Sequence, residues 1–197
     1  MNENPLVPGK ALRGVAGGLL LMAAFTFFWL RLASLGLPAA YGNVLLAIAI
    51  LFGVLLLGFA IYLYKIAAAF PKVTSEEDKA EEKRTGKWFG IIFGGEGVAI
   101  FLTCTVLSSL GLQQYVIPAI ALIVGLHFYP MGWVFKRKLD YYTATWTCLV
   151  ALAGIWLTFR QASQESVVVL VGLGTALATL TYGLNMMREG YKLSRKH

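Results

Sequence analysis

Glu96 and His127 are the two residues of this chain whose types and spacing best suit acid–base chemistry. Glu96 is the single acid set well inside an apolar stretch, eight residues past Trp88, and His127 lies nine residues before Lys136. At 1.5 Å of rise per residue these offsets correspond to depths of about 12 and 13 Å from one face of a bilayer. The pair is symmetric about Gly111–Leu112, so two antiparallel helices joined there carry both groups at one depth. A carboxylate in hydrocarbon costs at least about 2.5–3.5 kcal/mol unless it finds a partner, and an imidazole is such a partner. Proximity of opposite charges favours the ionised form of each group, whereas desolvation opposes it. Such a pair is a candidate proton acceptor near neutral pH, or a cation site in which the carboxylate supplies the charge. The plainer alternative is a neutral hydrogen bond that fastens two helices together.

The neighbouring residues point the same way. Gly95 and Gly97 flank Glu96 in Gly94-Gly95-Glu96-Gly97, where absent side chains admit another helix, water or a small ligand. Thr103 follows seven residues on, on the same helical face. Pro130, three residues after His127, cannot donate to the carbonyl of Leu126 and is expected to kink the helix beside the site. Thr175, Thr179, Tyr182 and Met186 share one face of the last apolar stretch, as the lining of a polar passage or as hydroxyls bonded to their own helix. Asn185 is placed to hydrogen-bond across helices.

The elements that must position these groups are set by composition. The 197 residues are 58% hydrophobic and 14% charged, with a mean hydropathy of +0.69. That excludes a disordered chain and argues against an ordinary soluble domain. Six apolar stretches occupy roughly 11–36, 42–66, 88–110, 115–135, 141–159 and 166–187, each near the ~20 residues a spanning helix needs. The first outruns a signal-peptide core and reads as an uncleaved span. The fold expected is all-α: one polytopic membrane domain over 1–197, its six transmembrane helices arranged as three antiparallel hairpins, with a loop over 67–87. In that loop Thr74 and Glu77 form a capping-box pattern ahead of a short charged helix.

A net charge of +7 would suggest nucleic acid in a soluble protein, but its placement speaks for a membrane instead. All 17 Lys and Arg except Arg31 and Arg160 fall before the first span, between the second and third, between the fourth and fifth, or after the sixth. Cytoplasmic connections retain Lys and Arg, so both termini are expected in the cytoplasm. Trp29 and Trp156 stand near the outer ends of their spans, Trp88 and Trp133 near the inner ends, as an aromatic belt requires. Trp146 lies too deep for that belt. Tyr129, Tyr141 and Tyr142 read as inner-belt residues, and Asp140 beside Lys136, Arg137 and Lys138 as a boundary residue.

Two cysteines do not make a disulfide scaffold, and Cys104 and Cys148 lie at different depths. Two histidines cannot by themselves supply a zinc site, and His127 and the terminal His197 are at different depths for joint haem ligation. Neither a metal nor a cofactor is expected. The sequence contains no HExxH, nucleophile elbow or serine–lysine motif, so an intramembrane enzyme is the least favoured class. Gly14 with Gly18, and Gly90 with Gly94, are small-xxx-small pairs suited to packing inside the bundle or between copies in a homo-oligomer.

Gly58-Phe59-Ala60-Ile61-Tyr62 echoes Gly125-Leu126-His127-Phe128-Tyr129, and Gly183-Leu184-Asn185-Met186 is a fainter copy. If the hairpins are a repeat, Ala60, His127 and Asn185 are equivalent. The run Gly125-Leu126-His127-Phe128-Tyr129-Pro130, with Phe135 and Tyr141-Tyr142 beyond it, resembles a G-L-H-F-x-P pattern in small, uncharacterised bacterial integral membrane proteins. Met131 stands where that pattern has leucine. No activity is established for the group, so the resemblance implies a multi-pass protein of the bacterial inner membrane and nothing more. The function expected is handling of a small solute, proton or cation through Glu96 and His127. The rival is a membrane-embedded sensor or scaffold in which their contact is structural.

Overall fold

The computed structural model describes residues 9–70 and 76–195. It contains six α-helices: α1 (Gly9–Leu35), α2 (Ala39–Ile66), α3 (Glu76–Ser109), α4 (Val116–Phe135), α5 (Lys138–Phe159) and α6 (Gln164–Ser194). All six are long and apolar enough to cross a bilayer, the architecture of a multi-pass integral membrane protein. A 3-10 turn at Gln113–Tyr115 leads into α4. Thr74 and His197 lie outside the described residues.

Three tight turns share one device. Gly111, Lys136 and Gln161 take left-handed φ values of 72°, 53° and 56°. In each case the next residue donates its N–H five residues back: Leu112 to Leu107 at 2.8 Å, Arg137 to Gly132 at 3.2 Å, Ala162 to Leu157 at 3.0 Å. This is the Schellman closure, which satisfies carbonyls orphaned at a helix end. Only Lys136 and Arg137 separate α4 from α5, so the turn pins Arg137 against the bundle.

Two boundaries differ from the hydropathy reading. Helix α3 begins at Glu76, so the short charged helix expected within 67–87 is continuous with the third span; Glu, Lys, Ala and Arg are strong helix formers. Contacts one turn apart, Lys79–Glu76 at 2.7 Å and Arg84–Glu81 at 3.8 Å, accompany that start. Helix α6 likewise runs past the apolar stretch, to Ser194.

The helices form an arc in the spatial order α2, α1, α6, α5, α4, α3. Helix α6 is the most enclosed and α3 the least. Lipid is as apolar as leucine, so close packing rather than water exclusion holds such helices together. Small residues permit it. A Cβ on Gly172 would stand 2.9 Å from the Trp29 carbonyl oxygen of α1, and one on Gly125 would meet the Cys148 backbone nitrogen of α5 at 2.9 Å. One apolar cluster joins α1, α2, α4, α5 and α6 around Leu19, Leu56 and Leu63; a second joins the same helices around Trp29, Ala151 and Val171. Trp29 is thus a core residue, 1% exposed, rather than a belt residue. Trp146 hydrogen-bonds the Gly174 carbonyl at 2.8 Å, tying α5 to α6, which accounts for its depth.

Candidate functional site

Helices α3 and α4 pair antiparallel about the Gly111–Leu112 turn. Trp88 meets Trp133 with ring centroids 6.0 Å apart, Phe89 meets Phe135 at 6.4 Å, and farther along the same seam Glu96 meets His127. Oε1 of Glu96 lies 3.3 Å from Nδ1 of His127, with only 6% and 11% of their side chains exposed. The alignment is not that of a hydrogen bond: among the described residues Nδ1 of His127 has no hydrogen-bond partner. The ring also lies against Phe128, centroids 4.2 Å apart.

His127 stands in the wall of a cavity of about 750 Å³ bounded by α1, α3, α4 and α6. Glu96 does not line it. The cavity is mainly apolar: Gly14, Gly17, Leu21 and Phe25 come from α1, and Phe89 and Phe93 from α3. Thr179, Tyr182 and Met186 form its α6 side, so three of the four residues read as one face of that helix share a surface. Thr175, the fourth, is wholly buried elsewhere. The Thr26 hydroxyl donates to Thr179 Oγ1 at 2.9 Å, and Thr179 in turn donates to the Ala176 carbonyl at 3.1 Å.

The charged end of the cavity, which we term its mouth, carries Glu81, Glu82, Lys136 and Arg137. Behind Arg137 sits an acid that the sequence reading took for a boundary residue. Asp140 has no exposed surface; its Oδ2 accepts from Nε of Arg137 at 3.3 Å, and the Tyr182 hydroxyl lies near the same carboxylate. The guanidinium also rests over the Phe135 ring at 4.4 Å and the Tyr182 ring at 5.6 Å. The signal in the sequence was the spacing Arg137-x-x-Asp140, which puts both groups on one side of the first turn of α5. Two basic side chains of the cavity wall, His127 and Arg137, therefore each lie beside a buried carboxylate.

The remaining predicted residues are not gathered there. Gly95 and Gly97 face open space, with nothing within 4 Å of a Cβ at either; among the described residues no helix exploits the gap. Thr103 is half-buried and Pro130 exposed within an unbroken α4. Asn185 is half-buried and makes no cross-helix hydrogen bond among the described residues. Gly18 packs on Met186, whereas Gly14, Gly90 and Gly94 meet nothing within 4 Å. Cys104 and Cys148 are free thiols. Among the described residues no three His, Cys, Asp or Glu side chains are grouped as metal ligands. Comparison of the chain with protein-family models, curated proteins and solved structures gave no match.

Proposed function

We propose that this protein binds a small organic solute in the cavity and moves it across a bacterial inner membrane in step with a proton carried by the Glu96–His127 pair, both termini lying in the cytoplasm. One observation carries the reading: the imidazole that borders the cavity is the same imidazole that touches the buried carboxylate, at 3.3 Å. An occupant beside His127 changes the surroundings of a proton bound by either member of the pair, and by linkage the proton changes the affinity for the occupant to the same degree.

The cavity suits an organic molecule better than a bare ion. Its volume is within the range of small-molecule sites, about 300–1,000 Å³. A hard cation wants several oxygen ligands, whereas the carboxylates of Glu96 and Asp140 stand off the wall and those of Glu81 and Glu82 already face Arg84 and Lys10. The concentration of Lys and Arg at one end of the bundle supports the orientation.

The test begins with solutes that raise the melting temperature of the purified protein, since a ligand of the native state stabilises by mass action. Those solutes are then followed into proteoliposomes with and without an imposed pH gradient. Glu96→Gln is expected to retain the stabilisation and lose gradient-driven accumulation. Equal accumulation in the variant rules out the proton role.

A further inference from the structure

We infer that the cavity takes an anionic single-chain amphiphile, an alkyl chain ending in a carboxylate, and that it enters from the bilayer between α1 and α3. The inference rests on the reading of the cavity as a binding site and adds the chemistry of its occupant. Three observations converge on it.

The first is the contrast between wall and mouth. Gly14, Leu21, Phe25, Phe89 and Phe93 offer an alkyl chain a surface without polar partners, whereas the mouth carries Lys136 and Arg137. Such a division matches a molecule with one long apolar part and one charged end.

The second is the state of Arg137. Asp140 engages its Nε at 3.3 Å, and Phe135 and Tyr182 hold the plane of the guanidinium. Among the described residues its terminal nitrogens make no hydrogen bond, so the fork that grips a carboxylate through two parallel bonds is left over and already oriented. The acids at the mouth are themselves engaged: Glu82 pairs with Lys10, and Glu81 lies 3.8 Å from Arg84. Lys136 makes no ion pair among the described residues and adds a second positive charge. A neutral head gains no charge-assisted contact from the fork, and a cationic one is repelled by it.

The third is the seam. Helix α3 packs on α4 and approaches α1 little along its length. The two are joined by the Phe25–Phe93 ring contact, centroids 6.2 Å apart, and by the Lys10–Glu82 ion pair. Parting α1 from α3 therefore breaks few contacts, and a chain already dissolved in the bilayer reaches the cavity sideways without crossing water.

The experiment uses the full chain in nanodiscs of zwitterionic lipid, with the fluorescent fatty acid cis-parinarate as probe. Tetradecanoate, tetradecanol and tetradecylamine compete for it. Tetradecanoate is expected to displace the probe at a concentration about tenfold below the alcohol, the equivalent of one charge-assisted contact, and the amine is expected to be weakest. Arg137→Lys keeps Asp140 paired but loses the fork, and the Arg137→Gln/Asp140→Asn double variant keeps the shapes of the pair without its charges. Both are expected to shrink the preference of carboxylate over alcohol to about threefold or less while displacement by the alcohol stays unchanged. Equal competition by acid and alcohol, retention of the preference in the folded double variant, or failure of parinarate to bind at all overturns the inference. The proton-linked reading falls separately, on unchanged solute accumulation in Glu96→Gln.

Discussion

Asp140, wholly buried in the first turn of α5, accepts a hydrogen bond from Nε of Arg137 at 3.3 Å, while 37% of the Arg137 side chain remains exposed. The two ends of this pair are unequal, and so are the consequences of deleting them. Arg137→Ala strands a carboxylate that has no route to water, a loss of about 3–5 kcal/mol for a buried ion pair broken from one side. Asp140→Ala releases an arginine that turns into solvent, so the loss is smaller, about 1–2 kcal/mol. Unfolding titrations in mixed detergent micelles measure both. Equal losses contradict the asymmetry in burial.

The same reasoning applies to Glu96 and His127, with both partners buried. His127→Ala leaves the acid in hydrocarbon without its neighbour and is expected to destabilise by roughly 2–3 kcal/mol. Glu96→Gln removes the charge and keeps the shape, with little loss. If the residues are partners, Glu96→Gln combined with His127→Ala loses less than the sum of the single changes, by an interaction energy of about 0.5–3 kcal/mol. Strict additivity in the double variant shows that they do not interact.

The helices were legible because a bilayer imposes a length and a composition on anything that crosses it. Their positions along the chain follow from the apolar stretches alone. What hydropathy misses is a helix that continues into water. The Glu76–Lys87 segment is helical by backbone propensity and local charge pairs, neither of which registers in an apolar count. Lateral order is not legible either. Nothing in the sequence places α6 between α1 and α5, because that choice depends on which small residues face which neighbour. Gly172 against Trp29 is one such close approach.

The site was half legible. Glu96 stands out because an acid amid apolar residues is costly, and the hairpin register then points to His127. Asp140 reads as a boundary residue, and its burial is not legible, because Lys136, Arg137 and Lys138 make its surroundings look aqueous. Its burial depends on the tight turn at Lys136 and on the approach from α6 of Tyr182, a residue more than forty positions along the chain. Gly95 and Gly97 were read as room for a neighbour; the sequence cannot tell a glycine that admits a helix from one that faces outward.

That distinction is testable on glycines of one type. A Cβ at Gly125 would lie 2.7 Å from Cys148 Sγ and 2.9 Å from its backbone nitrogen, whereas nothing lies within 4 Å of one at Gly94. Gly125→Ala is expected to force α4 from α5 and cost about 1–3 kcal/mol, the usual penalty of overpacking. Gly94→Ala meets no such obstacle and is expected to be neutral or slightly stabilising through helix propensity, by up to about 1 kcal/mol. Melting of the two variants in detergent, followed by tryptophan fluorescence, checks the order. A reversed order places the tight seam on α3 rather than between α4 and α5.

The seam between α1 and α3 makes a kinetic prediction independent of affinity. Lys10 and Glu82 form an ion pair across it near the mouth, so cysteines at those two positions lie within reach of a flexible bismaleimide. In a background where Cys104 and Cys148 are replaced by alanine, linking Lys10→Cys to Glu82→Cys prevents the helices from parting there; of the cavity lining it changes Glu82 alone and leaves the apolar wall and the Arg137 fork intact. Entry from the bilayer is then expected to slow at least about tenfold, with little change in the affinity reached at equilibrium, because the constraint acts on the path and not on the bound state. Stopped-flow fluorescence of parinarate with nanodisc-embedded protein, linked and unlinked, measures the rate. An unchanged association rate means that the chain reaches the cavity by another route, and the gap between α1 and α3 is then only a place where packing is sparse.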